Sequence, residues 1–372
     1  MNIVITHEFP FEKKYYGGGN QIVKGLSTIL AQKNHNVTIL TNGKDEFNLN
    51  NNNLGVKYLF LTNYSKFSFL IYYLKLFFYL YKQKPDFVLS FTSESFVISL
   101  YCKMLKLNSA LYQAAPEFPN FTKFNFKFFL NIRFKFGIFL QFLGIKFSPH
   151  VYTISDYTSR MLIKEWGASV NKVSTLGLGL DNDILNMSNY KNEVNYKNGN
   201  FKLLSFGRIT FDQKPFNLIV QPLYNLIQFW DNWVIIGDGP DLNILKNTIE
   251  NYKITDKVKF TGTLETNEII NYLKNADIVI LPSNYESFFI TVYESLLFNK
   301  IVITDDVADI KINLDKFNNI KIVNSKDPIL YQNAIEDIFL NYNKFIFKAN
   351  EASTFIKNKY NWEEVYKKLF FK

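Results

Sequence analysis

Residues 280–295 read ILPSNYESFFITVYES. The stretch opens inside an apolar run, ADIVILP at 276–282, whose length and β-branched content suit a buried strand. A polar loop, SNYES, follows, then a largely apolar and aromatic segment that leads to a second short apolar run, IVIT at 301–304. Strand, loop, longer segment and strand again make a parallel βαβ unit. Two carboxylates, Glu286 and Glu294, stand in this segment with seven residues between them. A charge in a segment suited to burial needs a partner, so each must have a use.

The same alternation extends in both directions. The first half offers NIVIT, NVTILT, VKYLFL, DFVLSF, SALYQ and HVYTIS as strands, and the second FKLLSFG, WVIIGDG, KVKFTG, ADIVILP, IVIT and IKIV. Helical patterns lie between them, as in GNQIVKGLSTILAQKN, where Ile22, Leu26, Ile29 and Leu30 recur at helical spacing. Each half therefore predicts its own doubly wound α/β unit with a parallel sheet. The polar, asparagine-rich run NMSNYKNEVNYKNGN has no face to bury and reads as a linker at 186–200. It divides a domain over 1–185 from one over 201–354.

At 372 residues the chain is long enough for two domains of common size. Its single cysteine, Cys102, excludes a disulfide framework, and three scattered histidines suggest no metal site, which fits a reducing cytoplasm. The N-terminus opens directly into a strand-like run, so no signal peptide is expected. The longest greasy run, FSFLIYYLKLFFYLY at 67–81, is broken by Lys75 and is too short to span a bilayer. Net charge is uneven: residues 1–180 hold 20 Lys+Arg against 9 Asp+Glu (+11), and 181–372 hold 22 against 24 (−2). No acid occurs between Glu46 and Asp86, or between Glu117 and Asp156.

In open α/β sheets ligands bind beyond the carboxyl ends of the strands, and every unusual loop here follows a strand. GGGN at 17–20 precedes the first helix, either as a phosphate-approaching turn or as a flexible one; it is not the G-x-G-x-x-G of dinucleotide binders. Arg208 and Lys214 in FGRITFDQKPF could grip a phosphate near the helix start that Pro215 predicts, or be two solvated cations. Ser283 and Glu286 fit an S-x-x-E capping box, which would give Glu286 a purely structural use. If one helix covered both glutamates they would stand about 12 Å apart, able to hold different ends of one long ligand.

Together, FGRITFDQKPF, IIGDGPDLNILK and VKFTGTLETNEIINYLKNADIVILPSNYESFFITVYES resemble the retaining glycosyltransferases of family 4, with their E-x7-E motif. YYGGGNQIVKGLSTILAQKNHNVTILT, VYTISDYTSRMLIKEWGASVNKVSTLGLGLD and the tail YNWEEVYKKLF agree, so the likeness covers nearly the whole chain. It implies the GT-B fold: two facing Rossmann-like doubly wound parallel-sheet domains with a cleft between them, and a C-terminal helix at 355–372 packing back onto the first. It implies that Arg208 and Lys214 hold the donor diphosphate, with Glu286 beside the donor sugar and Lys214, and Glu294 taking the ribose hydroxyls. Amides of Phe289, Ile290 and Thr291 would face sugar and phosphate, Gly207 would line the donor site, and Gly262, Thr263 and Leu264 would flank the base. Gly18 and Gly19 would approach the diphosphate from the other domain. The implied activity is metal-independent, cofactor-free transfer from a nucleotide-diphosphate sugar, a UDP-sugar, in bacterial surface-glycan or glycoconjugate synthesis. A nucleotide-sugar epimerase of the same fold, or a non-catalytic partner protein, are the alternatives.

The chain departs from the family in three places. ESFF replaces E-G-F-G, so Ser287 and Phe289 stand where glycines give the sugar room and a narrower donor pocket is expected. LYQAAPEFPN lacks the first domain's histidine and offers Glu117 instead, and VADIKI replaces a glycine-rich turn after IVITDD. Residues 120–147 alternate Phe with Lys and Arg, which suits a glycan or lipid-linked acceptor at an anionic membrane surface as well as it suits an ordinary core-facing helix. With no nucleic-acid reading module in the sequence, the expected location is cytoplasmic, peripheral at the inner face of the membrane.

Overall fold

A computed structural model describes residues 1–7, 18–44, 55–62, 68–91, 94–114, 132–188, 199–323 and 327–371. Gly17, Glu117, most of the 186–200 linker and residues 120–131 of the basic aromatic stretch lie outside the described residues. The chain divides into two compact units, Met1–Gly179 with Asn361–Lys372, and Leu180–Tyr360.

The first unit is built on a parallel sheet of seven strands: β1 (Asn2–His7), β2 (Asn36–Thr41), β3 (Val56–Phe60), β4 (Phe87–Phe91), β5 (Ser109–Gln113), β6 (Val151–Thr153) and β7 (Val173–Thr175). Their order is β3-β2-β1-β4-β5-β6-β7. The strands are near-continuous apolar runs because helices cover both faces. Six were legible in the sequence. The seventh, β7, reads VST and is only half-buried, so no apolar run announces it.

Right-handed crossovers put the helices Ser68–Gln83, Ser95–Leu105 and Ile132–Phe147, which all carry the chain in one direction across the sheet, on one face. The helix Gly18–Gln32 runs the other way and lies on the opposite face, where Trp362–Phe370 packs against it. The final helical stretch is two helices, Ala349–Lys359 and Trp362–Phe370, where the sequence suggested one at 355–372. Asn361 caps the second, its side chain accepting from the Glu364 amide. Trp362 then enters a slot made by missing side chains: a Cβ on Gly25 would fall 2.2 Å from its ring, and one on Gly179 2.6 Å away.

The second unit carries a six-stranded parallel sheet: β8 (Phe201–Phe206), β9 (Trp230–Ile236), β10 (Val258–Gly262), β11 (Ile278–Leu281), β12 (Ile301–Asp305) and β13 (Ile320–Val323). All six were read from the sequence. Their order is β10-β9-β8-β11-β12-β13, so the chain reverses its direction of travel between β8 and β11. A buried polar bridge ties the sheet's centre: the Trp233 indole donates to Ser205 Oγ (3.0 Å), which donates to the Ile280 carbonyl (2.7 Å). Among the described residues no helix is long and apolar enough to cross a membrane.

Emptying the Trp362 slot removes a large buried ring, so Trp362→Ala should lower the stability of the first unit by about 3–5 kcal/mol, and Gly25→Ala by about 1–3 through overpacking. Thermal unfolding of both variants checks this, and a midpoint unchanged in Trp362→Ala would contradict the packing described.

Candidate functional site

Two loops leave the carboxyl ends of β8 and β11, the neighbouring strands at which the second sheet's order reverses. Chains that depart in opposite directions there leave a crevice that no helix fills, the usual ligand position in such sheets. The first loop, residues 207–215, holds Gly207, Arg208 and Lys214; the second, 282–289, holds Glu286 and Phe289.

The two loops are bound to each other. Asn284 donates its backbone amide to the Gln213 carbonyl (2.7 Å) and its side-chain amide to the carbonyls of Asp212 (2.6 Å) and Phe211 (3.2 Å). The Tyr285 hydroxyl donates to the Asp212 carboxylate (3.0 Å). Asp241 accepts from the Phe211 amide (2.6 Å), and Asp305, at the end of β12, accepts from the Ser283 amide (2.7 Å) and the Tyr331 hydroxyl. Asp212, Asp241, Asn284, Tyr285 and Asp305 carry no motif signature. The only hint in the sequence was their place just beyond strand ends.

At the centre Lys214 Nζ lies 2.6 Å from Glu286 Oε1, with the two side chains 10% and 13% exposed. The ammonium also sits 4.1 Å from the centroid of the Phe289 ring. Gly207 (φ +138°) leaves room for the lysine stem, since a Cβ there would lie 3.1 Å from Lys214 Cδ. Its carbonyl in turn requires Gly237, where a Cβ would fall 1.9 Å from it.

The capping-box reading of Ser283 and Glu286 is overturned. The helix begins at Ile290, and Glu286 lies ahead of it, bound to Lys214, with the Ser283 hydroxyl 3.4 Å away. One helix does not cover both glutamates, so the 12 Å spacing estimated for that case does not apply. Pro215 takes the N-cap position of a 3-10 turn, Phe216–Ile219, instead of the first position of an α-helix.

Arg208 is exposed, and among the described residues no hydrogen bond or ion pair engages it. Its charge reaches Tyr285: burial, then the bond to Asp212, raises that hydroxyl's pKa, while Arg208 opposes the rise. An exposed guanidinium on the same loop as Lys214, with no anion among the described residues, is suited to bind one.

Glu294 sits one turn into the helix Ile290–Leu297, half-buried. Burial pushes its pKa up to about 7, and the nearby Asp181 carboxylate adds to the rise. No described side chain donates to it. Beside it in the same turn the Thr291 hydroxyl is buried with no partner. No side chain caps this helix, and of the three amides named above, that of Ile290 already donates to the Phe288 carbonyl. Phe289, in a glycine's place, is 2% exposed. After β12 the turn that usually takes glycine is kept by Ala308 (φ 51°) and Asp309 (φ 62°), both in the left-handed region.

Gly262 (φ +72°) ends β10, accepts from the Gly237 amide (2.9 Å) and has open space where a Cβ would be. Thr263 is exposed and Leu264 half-buried. Gly18 and Gly19 belong to the first unit, as the first residues of Gly18–Gln32. Gly19 lies against His7, whose pKa burial pushes down to about 4 despite a hydrogen bond with Asn20.

Comparison with known proteins bears on this unit most directly. Residues 187–362 match the family model described as "Glycosyl transferases group 1". That match covers a little under half of the chain and makes the second unit similar to group 1 glycosyl transferases. The two loops above lie wholly within the matched segment. Among curated proteins the chain is 33% identical over 113 residues to the alpha-monoglucosyldiacylglycerol synthase of Streptococcus pneumoniae (strain ATCC BAA-255 / R6), matching 30% of this chain and 25% of that protein. It is 21% identical over 237 residues to the uncharacterized glycosyltransferase MJ1607 of Methanocaldococcus jannaschii, 61% of this chain and 60% of that protein. The chain thus spans from a quarter to three fifths of the lengths of these relatives. Over 99% of its length it superposes on the crystal structure of Anabaena Alr3699/HepE in complex with UDP (98% of that chain, TM-score 0.77, 14% identity), a likeness of fold. The reversal point of the second sheet and the Lys214–Glu286 pair both lie within that segment.

Folding raises the Glu294 pKa from 4.5 to about 7, so the folded state binds the proton more tightly and loses stability as pH rises through that window. Glu294→Gln removes the penalty. It should be more stable than wild type above pH 7, by on the order of 1–2 kcal/mol after discounting for partial exposure, and equal to it below about pH 4.5. Thermal melts at pH 4.5 and 8 test this, and the reverse order at pH 8 would contradict it.

Proposed function

We propose that this chain is a family 4 retaining glycosyltransferase that moves a sugar from a UDP-sugar to a hydroxyl acceptor. The observation that carries the reading is the buried Lys214–Glu286 pair, with an unengaged Arg208 on the same loop as Lys214, at the strand-order reversal of the unit that matches the group 1 family. The glycolipid synthase among the relatives and the UDP-bound structural neighbour support the donor and the glycan or lipid-linked acceptor class.

In this reading Arg208 and Lys214 hold the diphosphate, and the Phe289 and Thr291 amides add donors at the helix start. Gly207 admits the Lys214 stem, and Gly262, Thr263 and Leu264 flank the base. As the bond from the sugar's anomeric carbon to the β-phosphate oxygen breaks, negative charge gathers on the phosphate, and fixed cations stabilise it. The departing phosphate oxygen takes the acceptor's proton while the acceptor oxygen bonds to the anomeric carbon on the same face, which retains configuration. Glu286 orients Lys214 and meets the sugar; Glu294 accepts from the ribose hydroxyls. Burial raises its pKa, and hydrogen bonds from a diol would favour the ionised form. The charge stabilisation is supplied by side chains and amides, so the reaction is metal-independent. Surface-polysaccharide or glycoconjugate synthesis at the inner face of the membrane is the proposed setting.

Arg208→Ala leaves every described bond of the fold intact, so a loss can be assigned to chemistry. Sugar transfer from UDP-sugars should fall by about 10²- to 10³-fold in kcat. Lys214→Ala should fall at least as far, with some loss of stability from the stranded Glu286. Wild-type transfer should persist in excess EDTA. Arg208→Ala at wild-type rates, or abolition by EDTA, would contradict the mechanism, and donor consumption without an acceptor would point to an epimerase.

A further inference from the structure

We propose that the helical layer Ser68–Gln83, Ser95–Leu105 and Ile132–Phe147 of the first unit is a docking face for an anionic lipid surface. This deepens the membrane part of the reading above and is independent of its catalytic part. In Ser68–Gln83 the sheet side is supplied by Tyr72, Leu76 and Leu80, spaced four residues apart and at most 1% exposed. The far side of a surface helix is ordinarily polar. Here it is a second apolar stripe: Leu70 (61% exposed), Leu74 (51%), Phe78 (65%) and Tyr81 (59%). The neighbouring helices extend it with Met104 (69%) and Phe139 (54%). A helix apolar on both sides belongs in an environment that covers both, and a patch of this breadth marks an interaction surface.

Charge identifies the cover. The three helices, SFLIYYLKLFFYLYKQ, SFVISLYCKML and IRFKFGIFLQFLGIKF, contain no Asp or Glu. Among their described side chains the exposed ionic groups are Lys75, which donates to the Leu61 carbonyl (2.6 Å), Lys82, Lys103 and Lys146, joined by Lys106 at the C-cap of the second. Of the flanking acids, Glu94 is buried and accepts from the Tyr72 hydroxyl. A second copy docking through the same patch would set lysine against lysine. An anionic bilayer satisfies both features, because acyl chains take the apolar stripe and headgroups take ammonium groups that reach outward on flexible stems. The sequence pointed to 120–147 for such a contact; residues 120–131 of it lie outside the described residues, and the stripe described here centres on Ser68–Gln83.

The test is flotation of the full chain, without donor, on vesicles of phosphatidylcholine alone and of phosphatidylcholine with a third phosphatidylglycerol. Wild type should float with the anionic vesicles and be released by high salt. The double variant Leu74→Glu, Phe78→Glu should partition at least tenfold more weakly, while Leu340→Glu, on an exposed leucine of the second unit, should match wild type. If the double variant fails to keep the wild-type melting temperature, Lys82→Ala with Lys103→Ala takes its place, with a several-fold loss expected. Equal partition on neutral vesicles, no partition on either, or variants that bind as wild type does would overturn the proposal. So would a lipid-free dimer that the double variant converts to monomer. None of these results bears on sugar transfer, which is read separately in detergent-free solution with a soluble acceptor.

Discussion

The Lys214–Glu286 pair organises the second unit's functional edge. Two nearly buried charges 2.6 Å apart cost desolvation that only close pairing and further bonding offset. The surrounding structure supplies that bonding. Gly207 and Gly237 let the first loop lie flat against its neighbour, Asn284 and Tyr285 clamp the second loop onto the first, and Phe289 closes over the ammonium. Each device lies beyond the end of a strand, so the sheet's order decides which loops meet, and the loops decide which charges pair.

Among the described residues Arg208 has no anion partner and no side chain donates to Glu294. A site that satisfied every charge internally would have little affinity for a diphosphate or a diol. Here one cation is committed to holding the geometry and the other is available, while the helix that follows presents a carboxylate whose pKa is raised by burial and by the nearby Asp181. Phe289 gives this arrangement its own character. At a position where the sequence resemblance calls for a glycine, a ring packs on Lys214 and fills volume beside the ion pair.

Much of this was legible in the sequence. The six strands of the second unit are mainly apolar runs with a few polar interruptions, and the residues that lead out of them stand in motif spacing, so Arg208, Lys214, Glu286 and Glu294 could be singled out by position. The strand β7 was not legible, because its three residues are short and half-buried. The use of Glu286 was also ambiguous: S-x-x-E is equally a helix-capping pattern, and only the start of the helix at Ile290 removes that reading. Asn284 and Asp305 were missed because they bond to backbone groups, and backbone partners leave no trace in residue type. The exposed stripe on Ser68–Gln83 was hidden for the opposite reason, since a run that is apolar throughout does not say which side faces water.

The central claim is that this edge of the second unit binds a nucleoside diphosphate through Arg208. Calorimetric titration of UDP into wild type, Arg208→Ala and Leu340→Ser measures it directly. The account predicts one site per chain, weakened at least tenfold in Arg208→Ala and unmoved in Leu340→Ser. Equal affinity in all three proteins, or no binding of UDP, ADP, GDP or dTDP to wild type, would contradict it.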